Sequence, residues 1–316
     1  GAGYIGSITT EMLLDNGHET IVFDNLERGH REAVDTRARL IIGDLRNRQQ
    51  IEKVMKEVKP DAVLHFAAYA LVGESMEHPE WYFGNNVGGG INLAEAMLKT
   101  EVKKIVLSSS CTTYGEPEQI PIPESAKQNP TNPYGESKLM LEKILNWYGQ
   151  LSGLKPVFLR YFNAAGASKR FGEDHNPETH LIPNILKAAL GKKNVITIFG
   201  DDYDTPDGTC IRDYIHIQDL ARAHILALTS NVSGAFNLGT GTGKSVKQVV
   251  EAARKVTRQP LPVKVMPRRQ GDPSHLVADA GKAKSILGWS TECSQLEQII
   301  QSAFAWLSAH PTGYPS

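Results

Sequence analysis

The sequence predicts an α/β protein with a doubly wound parallel sheet, a Rossmann fold, and a smaller mixed α/β substrate domain. Three observations lead to this prediction. Strand and helix patterns alternate along the first half of the chain, a glycine-rich turn opens it at Gly1-Ala2-Gly3-Tyr4-Ile5-Gly6, and Tyr134 and Lys138 follow a strand that ends in serines. Ligands of such sheets bind at the carboxyl ends of the strands, so these features meet in one cleft.

The glycine turn predicts a dinucleotide site. Glycines let the backbone approach a pyrophosphate, which then lies at the N-terminus of the following helix, here residues 9–16 with Gly17 as the stop. Such a turn normally follows a strand. We therefore expect that the first, central β-strand of the sheet precedes Gly1 and is missing from this sequence.

The next elements alternate as strand and helix. We predict strands at 19–23, 39–43, 61–68, 104–110 and 155–162, and helices at 49–58, 86–99 and 135–151. Asp24 ends the first of these strands, 18 residues after Gly6. A carboxylate at this place accepts hydrogen bonds from both ribose hydroxyls of NAD and repels the 2′-phosphate of NADP. The sequence therefore predicts NAD as the cofactor.

The pattern changes after residue 163. Residues 164–180 are predicted to form a loop, followed by a short helix, a strand at 195–199 and helices at about 245–257 and 294–308. We predict an NAD-binding domain at 1–163 and a smaller substrate domain over most of 164–316, with about 213–240 returning to the sheet.

Tyr134 and Lys138 are candidate catalytic residues, together with Ser110 at the end of the preceding strand. A spacing of four places both on one face of a helix. Unit charges about 6 Å apart interact by roughly 3 kcal/mol at an effective dielectric of about 20, which would lower the pKa of the tyrosine by about two units. An oxidised nicotinamide would add a second positive charge. The alternative interpretation is that both residues lie on a solvated helix face without a catalytic role, because a tyrosine and a lysine four residues apart are common by chance.

Composition excludes several functions. The chain has 316 residues and a formal net charge of -1, so it offers no electrostatic case for nucleic acid or an anionic membrane. No apolar run approaches the roughly 20 residues of a transmembrane helix. Cys111, Cys210 and Cys293 form no disulfide or metal pattern, and the acidic residues of 201–207 have no regular ligand spacing. We expect a cytoplasmic protein without a metal, in which His65 and Cys111 are packed rather than catalytic.

Longer motifs resemble one family. They are His65-Phe66-Ala67-Ala68, Ser108-Ser109-Ser110, Pro133-Tyr134-Gly135, Leu159-Arg160-Tyr161-Phe162-Asn163, Arg212-Asp213-Tyr214-Ile215-His216 and Arg268-Arg269 with Gly271-Asp272. Together with the glycine turn they resemble the UDP-glucose 4-epimerases, a family of extended short-chain dehydrogenases/reductases, over almost the whole chain.

The resemblance implies a reaction without net redox. The Tyr134 phenolate takes the proton of the sugar 4-hydroxyl, Ser110 relays or steadies it, and C4 gives its hydride to bound NAD; the 4-keto sugar then turns over and receives the hydride on its other face. Lys138 holds the nicotinamide ribose. The implied NAD-site residues are Gly1, Gly3, Tyr4, Ile5, Gly6, Asp24, Asn25, Leu26, Asp44, Leu45, Phe66, Ala67, Ala68, Asn85, Lys138 and Phe162. The implied substrate residues are Asn163, His180, Leu181, Arg212, Arg269, Asp272 and Leu276.

The resemblance also implies a homodimer through the helices near 86–99 and 135–151. Two departures from the family pattern stand out. Ala70 replaces a lysine that contacts a cofactor phosphate in many members, so we expect weaker NAD binding, and His180 replaces a frequent asparagine. Other epimerases of N-acetylated or pentose UDP-sugars, and a non-catalytic protein that binds NAD or a nucleotide sugar, remain alternatives. A 4,6-dehydratase would need an Asp-Glu pair where Cys111 and Thr112 stand.

Overall fold

The structure is a computed structural model, which describes residues 1–269 and 273–315. The strands described are β1 (Ile21–Asp24), β2 (Arg39–Ile42), β3 (Ala62–His65), β4 (Lys104–Ser110), β5 (Lys155–Tyr161), β6 (Asn163–Ala165), β7 (Ile196–Phe199), β8 (Ile211–Arg212), β9 (Tyr214–His216), β10 (Gly234–Leu238), β11 (Lys244–Ser245), β12 (Val263–Met266) and β13 (His275–Leu276). The α-helices described are α1 (Tyr4–Asp15), α2 (Arg48–Val58), α3 (Val72–Glu77), α4 (Pro79–Tyr82), α5 (Gly89–Lys99), α6 (Pro133–Ser152), α7 (Leu181–Ala189), α8 (Ile217–Thr229), α9 (Val246–Thr257), α10 (Gly281–Leu287) and α11 (Leu296–Ala309).

A parallel sheet in the order β10-β5-β4-β3 occupies the centre of the molecule. The strands β4 and β5 pair along their full length, so that Ser110 lies opposite Tyr161. Both strands are apolar and largely buried, as expected for a sheet covered by helices on two faces. The predicted α/β fold with a parallel sheet is confirmed.

The strands β1 and β2 form a separate parallel pair. In the described part of the chain β1 and β3 do not pair with each other, and a cavity of about 790 Å³ lies against both of them. Its lining includes Val22 and Phe23 of β1 and Val63 and Leu64 of β3.

The glycine-rich start of the predicted 86–99 helix takes a different form. A π-helical turn covers Phe83–Gly88, and α5 begins only at Gly89. Close packing requires glycine at the start of α5, because a Cβ at Gly90 would meet Leu141 of α6 at 2.6 Å and one at Gly89 would meet Leu45 at 3.0 Å. The glycines let this segment lie directly against α6.

The part of the chain after residue 163 contributes one further strand to the central sheet. The strand β10 pairs with β5, and α8 packs against α1 and β4. The remaining strands form small sheets of their own, β6 with β9, β7 with β12, and β8 between β11 and β13. Among the residues described, no helix is both long and apolar enough to cross a membrane.

Candidate active site

The candidate catalytic residues lie at the carboxyl end of β4 and the start of α6. The helix begins at Pro133, and the Asn132 side chain caps it by accepting a hydrogen bond from the Gly135 backbone N–H at 2.9 Å. This start places Tyr134 in the first turn, and Lys138 follows one turn later. The Ser110 hydroxyl ends β4 and accepts hydrogen bonds from the Thr112 N–H and hydroxyl.

Lys138 is buried, with 3% of its surface exposed. Its Nζ donates a hydrogen bond to the Ser108 carbonyl oxygen at 2.8 Å and lies 5.9 Å from the centre of the Tyr134 ring. Burial lowers the pKa of Lys138 to about 8, although the nearby Glu142 carboxylate acts in the opposite direction. The ammonium group is thus held close to the phenol at an energetic cost.

The expectation that Lys138 lowers the pKa of Tyr134 is wrong for the protein alone. Burial raises the pKa of Tyr134 above its usual value, and the neighbouring Tyr161 adds to this, whereas the hydrogen bond with Ser110 acts against it. The lysine charge by itself would lower the pKa of the phenol, but the loss of water around the buried ring raises it by more.

Two buried residues support this site, and sequence reasoning missed both. Asn86 accepts a hydrogen bond from the Tyr69 N–H and donates to the Tyr69 carbonyl and to the Ser137 hydroxyl. Glu142 pairs with Arg160 at 2.6 Å and accepts a hydrogen bond from the Ser109 hydroxyl. The available signal for Glu142 was its position four residues after Lys138, on the same face of α6.

The glycine turn leaves room for a ligand. A Cβ at Gly6 would meet the Gly1 carbonyl oxygen at 2.6 Å, and one at Gly1 would meet Val22 at 2.6 Å, so both glycines are required by packing. Above Gly3, in contrast, no atom of the described chain lies within 4 Å of such a Cβ. The first turn of α1 carries no acidic residue, and no side chain described caps its N-terminus. The turn can therefore receive an anionic group at the helix start.

Carboxylates and turns lie at the ends of β1 and β2. Asp24 accepts hydrogen bonds from the N–H groups of Ala2 and Leu26, both at 2.9 Å. Burial raises the pKa of Asp24, whereas the two hydrogen bonds from backbone N–H groups lower it and favour the ionised carboxylate. Asn25 donates a hydrogen bond to Asp44 at 3.2 Å, which links the two strand ends.

The remaining residues of the implied cofactor site line the same edge of the sheet. Phe66 follows β3 and packs on the His224 ring at 4.9 Å, and Asn85 donates a hydrogen bond to Asn86. Phe162 follows β5 and is buried. Ala70 is exposed, so the position of the missing lysine faces solvent.

The candidate substrate residues fall into two groups. Strand pairing places Leu276 of β13 opposite Arg212 of β8. Leu276 also packs in an apolar cluster with Phe162 and with Cys111, the residue that follows Ser110 in the sequence. Asn163 lies opposite Tyr214. These residues thus meet near Ser110, the candidate catalytic serine.

The second group lies further along the chain. His180 precedes α7, which Leu181 begins, and the exposed Arg269 lies over the Phe199 ring at 4.0 Å. Asp272 lies outside the described residues.

The other two reactive side chains, His65 and Cys111, are packed in the interior, as the sequence predicts. His65 is buried, and burial together with the Lys138 charge lowers its pKa to about 3. Burial raises the pKa of the Cys111 thiol to about 12. A neutral imidazole and a protonated thiol of this kind supply neither a base nor a nucleophile at neutral pH.

Comparison with known proteins decides the family. Residues 1–239 match the NAD dependent epimerase/dehydratase family. The chain belongs to this family. It is 52% identical to a UDP-glucose 4-epimerase of Lacticaseibacillus casei over 320 residues, which covers 99% of this chain and 97% of that protein.

Solved structures of family members have the same fold. A UDP-glucose 4-epimerase of Brucella ovis in complex with NAD matches with a TM-score of 0.93 and 46% identity, covering 96% of this chain and 95% of that one. One from Bifidobacterium longum in complex with NAD+ and UDP matches with a TM-score of 0.95 and 38% identity, covering 99% and 98%.

The residues of this chain fit the cofactor of the family. The open space above Gly3 and the start of α1 suit a pyrophosphate, and the ionised Asp24 suits ribose hydroxyls rather than a second phosphate. NAD is therefore the cofactor, as the sequence predicts.

Proposed function

We propose that this protein is an NAD-dependent isomerase that interconverts UDP-glucose and UDP-galactose by inverting C4 through a 4-keto sugar, a step of galactose metabolism. The observation that supports the proposal most strongly is the meeting of Ser110, Tyr134 and Lys138 at the end of β4, beside a dinucleotide turn. A non-catalytic binding protein would have no use for a buried lysine next to a buried phenol.

Each catalytic residue has a distinct task. Tyr134 exchanges a proton with the 4-hydroxyl of the sugar, and the Ser110 hydroxyl hydrogen-bonds to the phenol and steadies the oxygen that gains or loses this proton. Lys138 is anchored by the Ser108 carbonyl and supplies positive charge beside the phenol. When bound, NAD supplies the nicotinamide that accepts the C4 hydride and returns it.

The binding residues are assigned by the family pattern together with their places in the fold. We assign the NAD site to Gly1, Gly3, Tyr4, Ile5, Gly6, Asp24, Asn25, Leu26, Asp44, Leu45, Phe66, Ala67, Ala68, Asn85, Lys138 and Phe162. We assign the UDP-sugar site to Asn163, His180, Leu181, Arg212, Arg269, Asp272 and Leu276. A planar guanidinium binds a diphosphate through paired hydrogen bonds, which suits Arg212 and Arg269 for this task.

Leu276 supports a preference for the sugars without an N-acetyl group. Its side chain is 9% exposed and belongs to the apolar cluster with Phe162 and Cys111. An apolar side chain of this size cannot hydrogen-bond an acetamide and fills part of the space that the group needs. Size discrimination in an apolar pocket amounts to roughly 1–3 kcal/mol, so weak activity on the N-acetylated pair is expected.

The surface of α6 supports a homodimer. Met140, Trp147 and Leu151 are exposed on this helix, with 78% of Leu151 accessible, and Trp81 is exposed on α4. Isolated exposed apolar residues are common, but residues 140, 147 and 151 share one helical face. A second copy of the chain covering α5 and α6 would remove this face from water, and Trp147→Glu should then shift the mass in solution to that of a monomer.

Two coarser assignments complete the proposal. Residues 1–163 with about 213–240 form the NAD-binding domain, and most of 164–316 forms the nucleotide-sugar domain. The return of β10 to the sheet and the packing of α8 on α1 support this division. Cys111 and Cys293 form no disulfide, which suits a reducing cytoplasm.

Turnover of UDP-galactose to UDP-glucose, measured with the Tyr134→Phe variant, tests the function. We expect this variant to lose at least about 100-fold in kcat, because a phenylalanine cannot exchange a proton. Tyr148→Phe is the matched control, since Tyr148 lies on the same helix and its phenol contacts only Glu95 at 3.5 Å among the contacts described. Equal activity of wild type and Tyr134→Phe would reject the mechanism.

A further inference from the structure

Two histidines and two glutamates converge in the loop before α7. The ligand atoms of Glu173, His175, Glu178 and His180 all lie within 4.8 Å of one another. The chemistry proposed above uses none of them as an acid or a base, and only His180 is also assigned to the UDP-sugar site. We propose that this cluster is a binding site for one divalent transition-metal ion, for which Zn²⁺ suits the donor set best. No metal is expected from the sequence alone.

The atoms already have nearly the spacing that a zinc ion requires. The Nδ1 atoms of His175 and His180 lie 3.1 and 2.8 Å from the same carboxylate oxygen of Glu173, and His180 Nδ1 lies 2.9 Å from a Glu178 oxygen. Zinc bonds of about 2.0–2.1 Å in a tetrahedron place neighbouring ligand atoms about 3.3 Å apart. Two imidazoles and two carboxylates form a donor set that zinc accepts.

A second observation comes from Glu178. Its side chain is 4% exposed, and its Oε2 is buried without a hydrogen-bond partner in the described chain. The nearest ligand atom across the cluster, His175 Nδ1, is 3.8 Å from this oxygen, which is too long for a hydrogen bond. Buried carboxylate oxygens are rarely left without a partner, because losing water costs free energy. A cation among the four groups would satisfy Glu178 Oε2.

The alternative is an internal ion pair. In that case the carboxylates of Glu173 and Glu178 hold a protonated His180, and no metal is needed. This arrangement provides hydrogen bonds for both histidines, for Glu173 and for Glu178 Oε1, but it leaves Glu178 Oε2 without one. His180 is 45% exposed in its side chain, so an ion can enter from solvent and displace the proton.

The cluster contacts the dinucleotide turn. The His175 ring packs edge-on against Tyr4 at 6.2 Å, and the Asp174 carbonyl lies 3.1 Å from His30 Nε2. The cluster also ends at His180, directly before α7. A bound ion would therefore fix the 173–180 loop between the first turn of α1 and the start of α7, and it would raise the melting temperature of the holoenzyme.

Metal titration of the full chain with its NAD tests the proposal independently of turnover. The protein is treated with EDTA, desalted and titrated with ZnCl₂ in a calorimeter, and with CoCl₂ while the visible absorption is recorded. We expect one ion per chain, the strong visible bands of four-coordinate Co²⁺, and a higher melting temperature with zinc. His175→Ala and Glu178→Gln should each weaken zinc binding by at least about 10-fold, since even indirect supporting residues contribute that much.

His78→Ala is the matched control. His78 is exposed and has one carboxylate nearby, Glu80 at 3.6 Å, so its loss should leave the zinc affinity unchanged. Absence of one-to-one binding by the wild type would overturn the proposal and leave the internal ion pair. Equal zinc affinity of the wild type and both ligand variants would overturn it as well. The wild-type titration needs no variant to fold, and circular dichroism shows whether the variants do.

Discussion

Replacing Lys138 with methionine should stabilise the protein at neutral pH while removing its activity. Burial lowers the pKa of Lys138 from its ordinary 10.5 to about 8. A difference of about 2.5 units corresponds to about 3 kcal/mol of unfavourable free energy in the folded, protonated state. Methionine has a similar volume and no charge to bury. The lost hydrogen bond to the Ser108 carbonyl offsets about 1 kcal/mol of this gain.

The net gain at pH 7 is therefore about 2 kcal/mol. With an unfolding entropy of about 2.1 cal/mol/K per residue, this raises the melting temperature by about 3 °C for a chain of 316 residues. Between pH 8 and 10.5 the unfolded state binds more protons than the folded state, so the stability of the wild type rises with pH in this window. The advantage of the variant should accordingly shrink by about 2 kcal/mol from pH 7 to pH 9.5.

Urea unfolding of nucleotide-free protein at pH 7 and pH 9.5 measures both effects. Lys143→Met is the control, because Lys143 lies on the same helix but is exposed, and it should change little at either pH. A Lys138→Met variant that is less stable than the wild type by the same amount at both pH values would refute the reasoning. It would show that the ammonium group is not destabilised by burial.

Further predictions concern the ion pair behind the site, the cofactor and the substrate range. Glu142→Gln leaves the buried Arg160 without its partner at 2.6 Å and should lower the free energy of unfolding by about 3–5 kcal/mol in urea titrations; a loss below about 1 kcal/mol would contradict this. Denatured protein should release NAD and no NADP, and turnover should not consume added NAD. Leu276→Tyr should abolish the weak activity on N-acetylated UDP-sugars and spare UDP-galactose, so an unchanged ratio of the two rates would remove Leu276 from the specificity assignment.

The sequence predicts the sheet and the places of the candidate catalytic residues well because both depend on local patterns. The apolar run before Ser108 gives β4, and the four-residue spacing puts Tyr134 and Lys138 on one face of α6. Strand ends then follow from the doubly wound topology. The π-helical turn at Phe83–Gly88 was not predicted, and the close approach of Gly90 to Leu141 could not be, since it joins two distant parts of the chain.

Electrostatics and the glutamate-histidine cluster were harder to predict for the same reason. The direction of the Tyr134 pKa depends on how completely the ring is buried, which no spacing reveals. The residues Glu173, His175, Glu178 and His180 stand close together in sequence, but their ligand atoms meet only because the loop folds back on itself against Tyr4. Long-range packing decides both features.

The opposite pKa shifts of Tyr134 and Lys138 have one cause and one consequence. Burial disfavours the phenolate and the ammonium alike, so it shifts the ionisation of both groups toward their neutral forms. A further cation within about 6 Å of the phenolate would lower the free energy of the phenolate by roughly 3 kcal/mol at an effective dielectric of about 20. Because such coupling is reciprocal, whatever ionises Tyr134 must also tighten the binding of that cation, by about 100-fold for two pKa units. Under the proposed mechanism, the burial that disfavours the Tyr134 phenolate would thus tie its ionisation to the binding of the oxidised cofactor.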